Sequence, residues 1–351
     1  MENRTIIVIG ASAGGFNAIK TVVSNIPVGL QAAIFVVWHM SPEVNSILPE
    51  ALTKLNTLPA TNAEDGEPVK MGHIYIAPPD HHLLVEEGQV RITRGPKENR
   101  FRPAIDPLFR SAAYTYGARV IGVILSGALD DGAAGLWTIK QHGGLAIVQD
   151  PNDAEVSGMP ENALRTVEAD HKLPASEIGA LLANLVTQPL THKTEPDMQE
   201  QEKEKREVHI ALGREPLQEN ITAYGELSPF TCPECHGVLT RLKEGDLVRF
   251  RCHTGHAFSV DSLLASLTEN IEANLWTAIR SIQESIILLN HMGDHYAEAN
   301  HPKFAASFFK KSQEAQKRAG QVRKIVFTHE QLTAEGLRRQ TGQDEARTPA
   351  G

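Results

Sequence analysis

Residues 6–16 have the sequence IIVIGASAGGF, a run of branched apolar residues that ends in a glycine-rich turn with one serine. A buried strand followed by such a turn and a helix is typical of α/β proteins. Two interpretations fit the turn: a cradle for a phosphate group, or a sharp bend that presents Ser12 as a nucleophile. Its spacing, G-x-x-x-G-G, differs from the G-x-G-x-x-G of dinucleotide-binding proteins, and no G-K-[ST] follows it. The sequence therefore favours a nucleophile.

Apolar segments of strand length alternate with amphipathic segments between residues 5 and 185. This alternation predicts an α/β fold with a doubly wound, mostly parallel sheet. Residues 81–95 differ, because two short apolar stretches flank Glu87-Gly88, and we expect an antiparallel hairpin inserted there. The predicted strands are 5–10, 32–39, 72–78, 119–127 and 144–149, and the predicted helices are 15–26, 42–55, 106–118 and 132–143.

The composition is that of a soluble protein, with 41% hydrophobic and 22% charged residues in a chain of 351. A single core rarely grows beyond about 250 to 300 residues, so more than one folding unit is expected. The formal charge of -9 argues against a general nucleic-acid binder, since neutralising phosphates needs a basic surface. The sequence contains no apolar run of the roughly 20 residues that span a bilayer, and no signal peptide at its start, which predicts a cytoplasmic protein that is not embedded in a membrane.

A serine nucleophile needs a base and a group that orients the base. His39 follows the second predicted strand, while Asp130 and Asp131 follow the strand at 119–127. The carboxyl ends of parallel strands line one crevice, so these side chains are expected near Ser12. Either aspartate can orient His39. The alternative is that His39 only ends a strand and that the aspartates cap the helix beginning at Gly132.

Six motifs extend the comparison beyond one turn: IGASAGG (9–15), HM (39–40), AEDGEPVKMGHIYIAPPDHHL (63–83), NRFRPAIDPLFRSAA (99–113), GVILSGALDDGAAG (122–135) and SGMPENAL (157–164). Together they resemble the catalytic domain of the CheB chemotaxis protein-glutamate methylesterases. The resemblance implies a serine hydrolase that removes methyl esters from glutamate side chains of chemoreceptor-like proteins, and also implies deamidation of glutamine. The resemblance also implies that the hydrolase needs no cofactor for catalysis and that its protein partner is a methylated chemoreceptor-like protein.

The same resemblance implies a role for each site residue. Ser12 is the nucleophile, His39 the general base and acid, and Asp131, which directly precedes Gly-Ala-Ala-Gly, the residue that orients His39. Backbone N–H groups, for example those of Ala13 or Ala128, are candidates to stabilise the oxyanion. The chain departs from the family where Ala128 and Leu129 replace the usual methionine and glycine.

Two further expectations concern a receiver domain and an alternative function without turnover. The strand that leads to Ser12 begins five residues into the sequence, so we expect a stand-alone enzyme without the family's receiver domain ahead of it. A signalling adaptor that binds receptor-like helices with little or no turnover is the alternative function. Retention of the complete Ser-His-Asp set favours the enzyme.

A short segment near residue 240 contains all three cysteines. Cys232-x2-Cys235, then sixteen residues, then Cys252-x3-His256 has the spacing of a zinc ribbon. Three thiolates and an imidazole close a tetrahedron, which predicts a structural zinc site with no open position for catalysis. His236 and His253 are alternative ligands.

The chain is accordingly predicted to contain five segments. Beyond the metal ligands, apolar residues recur every three or four positions, and Asp261 is a plausible N-cap for the first of two long helices. Those helices are candidates for an oligomer or partner contact. The segments are a catalytic domain at 1–188, a charged linker at 189–226, a zinc-ribbon-like module at 227–260, a helical hairpin at 261–335 and a disordered tail at 336–351.

Overall fold

The computed structural model describes residues 5–40, 47–190, 198–214, 225–244, 247–330, 332–333 and 336–337. The chain divides into two compact units, residues 1–263 and 264–351. The first unit contains, in chain order, β1 (Ile6–Ala11), α1 (Gly15–Ser24), β2 (Ala33–Trp38), α2 (Leu48–Thr53), β3 (Ala60–Asn62), β4 (Ile74–Ile76), β5 (His82–Glu86), β6 (Gln89–Thr93), α3 (Ile105–Tyr116), β7 (Val120–Ile124), α4 (Ala133–Gln141), β8 (Leu145–Gln149), α5 (Gly158–Thr166), β9 (His171–Leu173), α6 (Ala175–Thr187), α7 (Met198–Ala211), β10 (Glu226–Thr231), β11 (Val238–Glu244), β12 (Leu247–Cys252) and β13 (Ala257–Ser259).

The central sheet of the first unit has seven described strands in the order β3-β4-β2-β1-β7-β8-β9. Each neighbouring pair runs parallel, which confirms the predicted doubly wound α/β fold. The chain moves outward from β1 through β2 on one side and through β7 on the other. The order of the strands therefore reverses at β1 and β7, and a crevice opens beyond the carboxyl ends of strands at such a point.

Alternation along the buried strands supplies two separate cores. In β1, Ile7 and Ile9 pack with α1, α2 and α6 on one face of the sheet. Ile6 and Val8 pack on the opposite face with α3, α4 and α5. Because both faces are covered by helices, the strands are almost wholly apolar, as their sequences indicated.

The predicted hairpin is present as an antiparallel pair, β5 and β6, which forms a separate two-stranded sheet. Val85 and Val90 face each other across it and join the core beneath α3. The predicted helix at 42–55 appears as α2 from Leu48 onward, and residues 42–46 lie outside the described part of the chain.

The segment interpreted as a charged linker contains α7, which differs from the expectation of solvated chain. Val208 and Ala211 of α7 pack against Leu84 of β5. Glu204 and Glu207 are also buried, and a carboxylate oxygen of Glu204 lies 2.5 Å from Nε2 of His142, which follows α4. The acidic residues of α7 therefore include groups with buried partners. Residues 191–197 and 215–224 of this segment are outside the described residues.

Strands β10–β13 form a four-stranded antiparallel sheet that holds the three cysteines. Helix α8 (Val260–Glu298) begins after it, and its first turn is capped by Ser259, whose hydroxyl accepts a 3.0 Å hydrogen bond from the N–H of Ser262. The prediction of Asp261 as the N-cap was wrong, because α8 begins at Val260. The N-cap position is therefore Ser259, and its hydroxyl accepts the N–H of Ser262 in the first turn.

The second unit contains the rest of α8 together with α9 (Pro302–Phe327), which confirms the predicted helical hairpin. The ring of Tyr296 in α8 stacks on Phe308 in α9 with centroids 5.4 Å apart. At the other end, Trp276 contacts Phe327 with centroids 6.4 Å apart. Of the predicted tail at 336–351, only residues 336–337 are described. No helix in the described part of the chain is both long and apolar enough to span a membrane.

Candidate active site and metal site

Ser12 lies in the turn between β1 and α1. Its N–H donates to the carbonyl of Ser126 at 2.9 Å, and its own carbonyl accepts from the Trp38 indole at 3.0 Å. Gly14 ends the turn at φ +72°, in the left-handed region, and a Cβ there would lie 2.6 Å from Ser126 Oγ. The backbone around Ser12 is thus held from two neighbouring strands, and the second glycine of the turn has to be a glycine.

His39 follows β2 as Ser12 follows β1. The two strands pair with Ala11 opposite Trp38, and the N–H of His39 donates to the carbonyl of Ala11 at 3.0 Å. Ser12 and His39 are therefore the next residues along two adjacent strands, whose axes lie about 4.8 Å apart. The His39 ring is buried, and the ring of Phe101 stacks on it with centroids 3.8 Å apart.

Asp131 holds the His39 ring. Its Oδ2 lies 2.8 Å from Nε2 of His39, and both side chains are almost fully buried. When Nε2–H donates to the carboxylate, the lone pair of the ring is on Nδ1. This Nδ1 is buried and has no hydrogen-bond partner among the residues that the structure describes. In that tautomer the ring has a basic nitrogen that no described residue binds, on the residue that follows the strand paired with β1.

The carboxylate of Asp131 lies at the amino end of α3. It accepts hydrogen bonds from the N–H of Ile105 at 2.7 Å and of Asp106 at 3.3 Å, and from Asn99 Nδ2 at 2.8 Å. Burial by itself would raise the pKa of Asp131, but the hydrogen bonds from His39, Ile105 and Asn99 outweigh it and lower that pKa. Asp131 is thus ionised and fixed in place, as an orienting group must be.

Asp130, the other candidate, has a different partner. Its Oδ1 accepts a 2.6 Å hydrogen bond from the hydroxyl of Ser259, at the end of β13. Burial raises the pKa of Asp130 to about 7. Helix α4 begins after Gly132 without a side-chain cap, so the structure does not support the simpler role of these aspartates as helix caps. It brings Asp131, and not Asp130, to His39.

The loop after β7 lies against Ser12. A Cβ on Gly127 would be 2.9 Å from Ser12 Cβ and would overlap the sulfur of Met159. Ala13 and Ala128 are exposed on the two loops, and their N–H groups donate to no backbone carbonyl among the described residues. Leu129 has φ +63°, a left-handed conformation that suits the glycine usual in the resembling family.

Asn99 and Phe101 are site residues that the sequence analysis missed. Both lie in the motif at 99–113, which was used only to establish the resemblance. An asparagine and a phenylalanine in a loop have no pattern that indicates contact with a catalytic group. Their position between a predicted strand and a helix that begins near Asp106 was the only available signal.

A family model described as CheB methylesterase matches residues 7–182, half of the chain. The chain belongs to the CheB methylesterase family. A putative protein-glutamate methylesterase/protein-glutamine glutaminase of Leptospira interrogans is 41% identical over 184 residues, which cover 52% of this chain and 95% of the relative. The protein-glutamate methylesterase/protein-glutamine glutaminase of Photorhabdus laumondii is 40% identical over 174 residues, which cover 48% of this chain and 49% of the relative.

A solved structure also resembles this CheB-family chain. The crystal structure of the Thermotoga maritima CheB methylesterase catalytic domain matches with a TM-score of 0.50 and 37% identity. The matched region covers 53% of this chain and 100% of the solved chain. Ser12, His39 and Asp131 lie within residues 7–182, which match the family model, whereas the cysteines lie outside that range.

Outside that CheB match, Cys232, Cys235, Cys252 and His256 come together in the β10–β13 sheet. Their ligand atoms all lie within 4.8 Å of one another, a group that can hold a metal ion. The sulfurs of Cys235 and Cys252 are 3.6 Å apart, and His256 Nδ1 is 3.6 Å from Cys252 Sγ and 3.8 Å from Cys232 Sγ. His236 and His253, the alternative ligands, are not part of this group.

The ligand loops also supply hydrogen bonds to the sulfurs. The N–H groups of Glu234 and Cys235 point to Cys232 Sγ, and the N–H of Gly237 points to Cys235 Sγ. The hydroxyl of Thr254 lies 3.2 Å from Cys235 Sγ and 3.0 Å from Cys252 Sγ. Donors around the sulfurs stabilise thiolates, the form of cysteine that binds a metal.

Proposed function

We propose that this protein hydrolyses glutamate methyl esters on a chemoreceptor-like protein, with Ser12 as nucleophile, His39 as general base and acid, and Asp131 as the group that orients His39. The observation that carries the proposal is the buried His39–Asp131 pair, 2.8 Å apart: Nδ1, the other ring nitrogen of His39, has no hydrogen-bond partner among the described residues, and His39 directly follows the strand that pairs with the one leading to Ser12. The names of the relatives supply the substrate class.

In the first half-reaction, Ser12 Oγ attacks the carbonyl carbon of the ester while Nδ1 of His39 takes the hydroxyl proton. Negative charge then develops on the carbonyl oxygen, and the N–H groups of Ala13 and Ala128 are available to stabilise it. One such donor is worth about 2.7 to 4 kcal/mol. The intermediate collapses when His39 returns the proton to the departing oxygen, which leaves as methanol.

In the second half-reaction, water replaces methanol. His39 removes a proton from the water, the resulting hydroxide attacks the Ser12 ester, and the serine leaves with the proton from His39. The products are a glutamate side chain and free Ser12. A glutamine side chain follows the same path with ammonia as the leaving group, so the geometry is also suited to deamidation.

Ser12→Ala tests the assignment, with Ser24→Ala as the matched control, because Ser24 is an exposed residue whose hydroxyl bonds only to its near neighbours Thr21 and Asn25. Methanol release from methylated receptor should fall by more than about 1,000-fold in Ser12→Ala, as expected for loss of a serine nucleophile. It should be unchanged in the control, and both melting temperatures should match the wild type. Equal turnover by Ser12→Ala and wild type would refute the nucleophile. Receptor binding without turnover in any of these proteins would support the adaptor.

The metal of the Cys3His group is proposed to be zinc. Tetrahedral zinc, with Zn–S near 2.3 Å and Zn–N near 2.0 Å, places two sulfurs about 3.8 Å apart and a sulfur and a nitrogen about 3.6 Å apart. The three separations given above, 3.6 to 3.8 Å, fit those values. Elemental analysis of the purified protein should give one zinc per chain and none in Cys232→Ser. A full complement of zinc in that variant would contradict the site.

The cellular setting follows from the same groups. The three cysteines form a thiolate-type site and no disulfide, which supports a reducing, cytoplasmic location. Exposed apolar residues on the C-terminal helices, among them Leu288 and Phe304, support an oligomer or protein-partner contact there. Sedimentation of the full chain over a range of concentrations tests self-association.

A further inference from the structure

The side chain of Asn99 has four hydrogen bonds and is only 2% exposed. Its Nδ2 donates to Asp131 Oδ1 and to Asp106 Oδ2, each at 2.8 Å. Its Oδ1 accepts from the N–H of Ser259 at 2.9 Å and from the Ser262 hydroxyl at 3.1 Å. The amide thus joins the catalytic aspartate on one side to the end of the cysteine-containing sheet on the other.

We propose that Asn99 is a positioning residue for catalysis, and that the metal-binding sheet sets the geometry of the Ser12–His39–Asp131 site through it. The inference rests on the proposed function of that site. It assigns to the segment outside the family match a direct part in turnover, in addition to any binding role.

The backbone gives the same connection. The N–H of Asn99 donates to the carbonyl of Ala257 at 2.8 Å, and the N–H of Ala257 donates to the carbonyl of Lys97 at 3.2 Å. Ala257 directly follows the ligand His256. The metal ligands therefore close a turn whose end pairs with the loop that holds Asn99.

The amino end of the metal-ligand turn is held by the charged side chain of Arg251. Arg251, directly before the ligand Cys252, donates to Glu98 at 2.9 Å, and Glu98 directly precedes Asn99. Arg251 also donates to the carbonyl of Gly255 within the ligand turn, at 2.6 Å. Both ends of the metal turn thus contact residues 97–99, and a disordered turn would release the loop on both sides.

The same loop presents Phe101 to His39. The N–H of Phe101 donates to the carbonyl of Glu98 at 2.9 Å, so the stacked ring and the buried glutamate belong to one short turn. If the loop relaxes, Asp131 loses the shorter of the two hydrogen bonds to its Oδ1, and His39 loses the ring that covers one face. Catalysis should slow because the imidazole no longer has one fixed orientation.

Asn99→Ala and Asn99→Asp test the residue, with Asn184→Ala as control, since Asn184 is exposed on α6. Two readouts are needed: methanol release from methylated receptor, and the rate at which a fluorophosphonate labels Ser12, followed by intact mass. The second does not depend on the natural substrate. Asn99→Ala should lower kcat and labelling by about 10- to 100-fold with little change in KM, because a hydrogen bond to a charged group is lost. The control should match the wild type.

Asn99→Asp separates positioning from simple loss of stability. Protonated, the introduced carboxyl can donate to one carboxylate and accept from Ser259 as the amide does; ionised, it repels Asp106 and Asp131. Labelling relative to wild type should therefore rise at least about tenfold as the pH falls from 8 to 5. The titratable groups packed around this position are Asp131, Asp106, Asp130, His39 and Asp261. The same groups are present in the wild type, so the ratio removes most of their contribution.

Removal of the metal tests the connection to the sheet in the full chain. After treatment with a chelator, hydrogen exchange of residues 97–101 should accelerate and Ser12 labelling should fall by about tenfold or more. Zinc chloride should restore both. Unchanged labelling in the stripped protein, or a pH-independent ratio for Asn99→Asp, would overturn the inference. Labelling that follows these expectations without methanol release would support it and refute only the proposed substrate, whereas a wild-type Ser12 that is never labelled would refute both.

Discussion

Glu98→Gln should destabilise the first unit more than any exposed charge change. Glu98 and Glu207 are surrounded by Arg110, Arg249 and Arg251, and the side chains are at most 10% exposed. Burial alone would raise the pKa of Glu98, but the three guanidinium groups hold that pKa far below its usual range. The cluster contains three positive and two negative charges, so every carboxylate in it is needed.

The magnitude follows from the charges that remain. Glu98→Gln leaves three guanidinium groups with one carboxylate, and breaking a buried pair in this way costs about 3 to 5 kcal/mol. Arg249→Gln leaves two of each, and its bonds to Glu207 and Glu98 are 3.1 and 3.2 Å long, so we expect a smaller loss of about 1 to 3 kcal/mol. Burial raises the pKa of Asp106, which interacts with Arg249, to about 7, so at pH 6 it is mostly protonated and adds little charge.

Urea unfolding at pH 6, followed by fluorescence, measures the free energy of unfolding of the wild type and of the Glu98→Gln, Arg249→Gln and Glu86→Gln variants. Glu86→Gln is the control, because Glu86 pairs with Arg214 on the surface and its side chain is 31% exposed. Such a pair is worth less than about 1 kcal/mol. Equal losses for Glu98→Gln and Glu86→Gln, or a larger loss for Arg249→Gln than for Glu98→Gln, would refute the charge argument.

Leu129→Gly should raise the unfolding free energy by up to about 1 kcal/mol, because it removes a left-handed leucine; a loss in urea unfolding would contradict this. Gly127→Ala should lower methanol release by about 100-fold without unfolding the chain, because its Cβ would press on Ser12 and Met159; wild-type turnover would rule out this packing. The unfolding free energy should decline from about pH 4 to pH 7 through Asp106 and Asp130, since burial raises the folded pKa of each to about 7 and the stability that each adds when protonated is lost as the pH rises through that value. Asp106→Asn should reduce this decline, and an unchanged slope in that variant would show that Asp106 does not contribute.

The α/β fold, and the position of Ser12, His39 and Asp131 after the carboxyl ends of neighbouring strands, could be predicted because both depend on local patterns. Each of the three residues follows an apolar strand, and parallel strands bring their carboxyl ends to one edge. The choice between Asp130 and Asp131 could not be made from spacing. It depends on which carboxylate reaches the amino end of α3 and the His39 ring, and that requires the three-dimensional packing.

The burial of α7 could not be predicted from the sequence. Its glutamates look like part of a solvated charge run, because they alternate with Lys203, Lys205 and Arg206. The partner Arg110 is 97 residues away from Glu207, and Arg251 is 44 residues away. The role of Asn99 depends on a contact with Ser259, 160 residues later. Pairings at these separations leave no periodic signal.

The distance along the chain between Glu98 and Arg251, 153 residues, also sets an order of events during protein synthesis. At about 5 to 20 residues per second, the ribosome needs about 8 to 30 seconds to make the residues between them. For most of that interval Glu98 and Arg110 have been synthesised, while the arginines of β12 and the serines that bind Asn99 have not. A nascent chain therefore carries Ser12 and His39 well before it can complete the loop behind them, and the enzyme matures only when translation has passed β13.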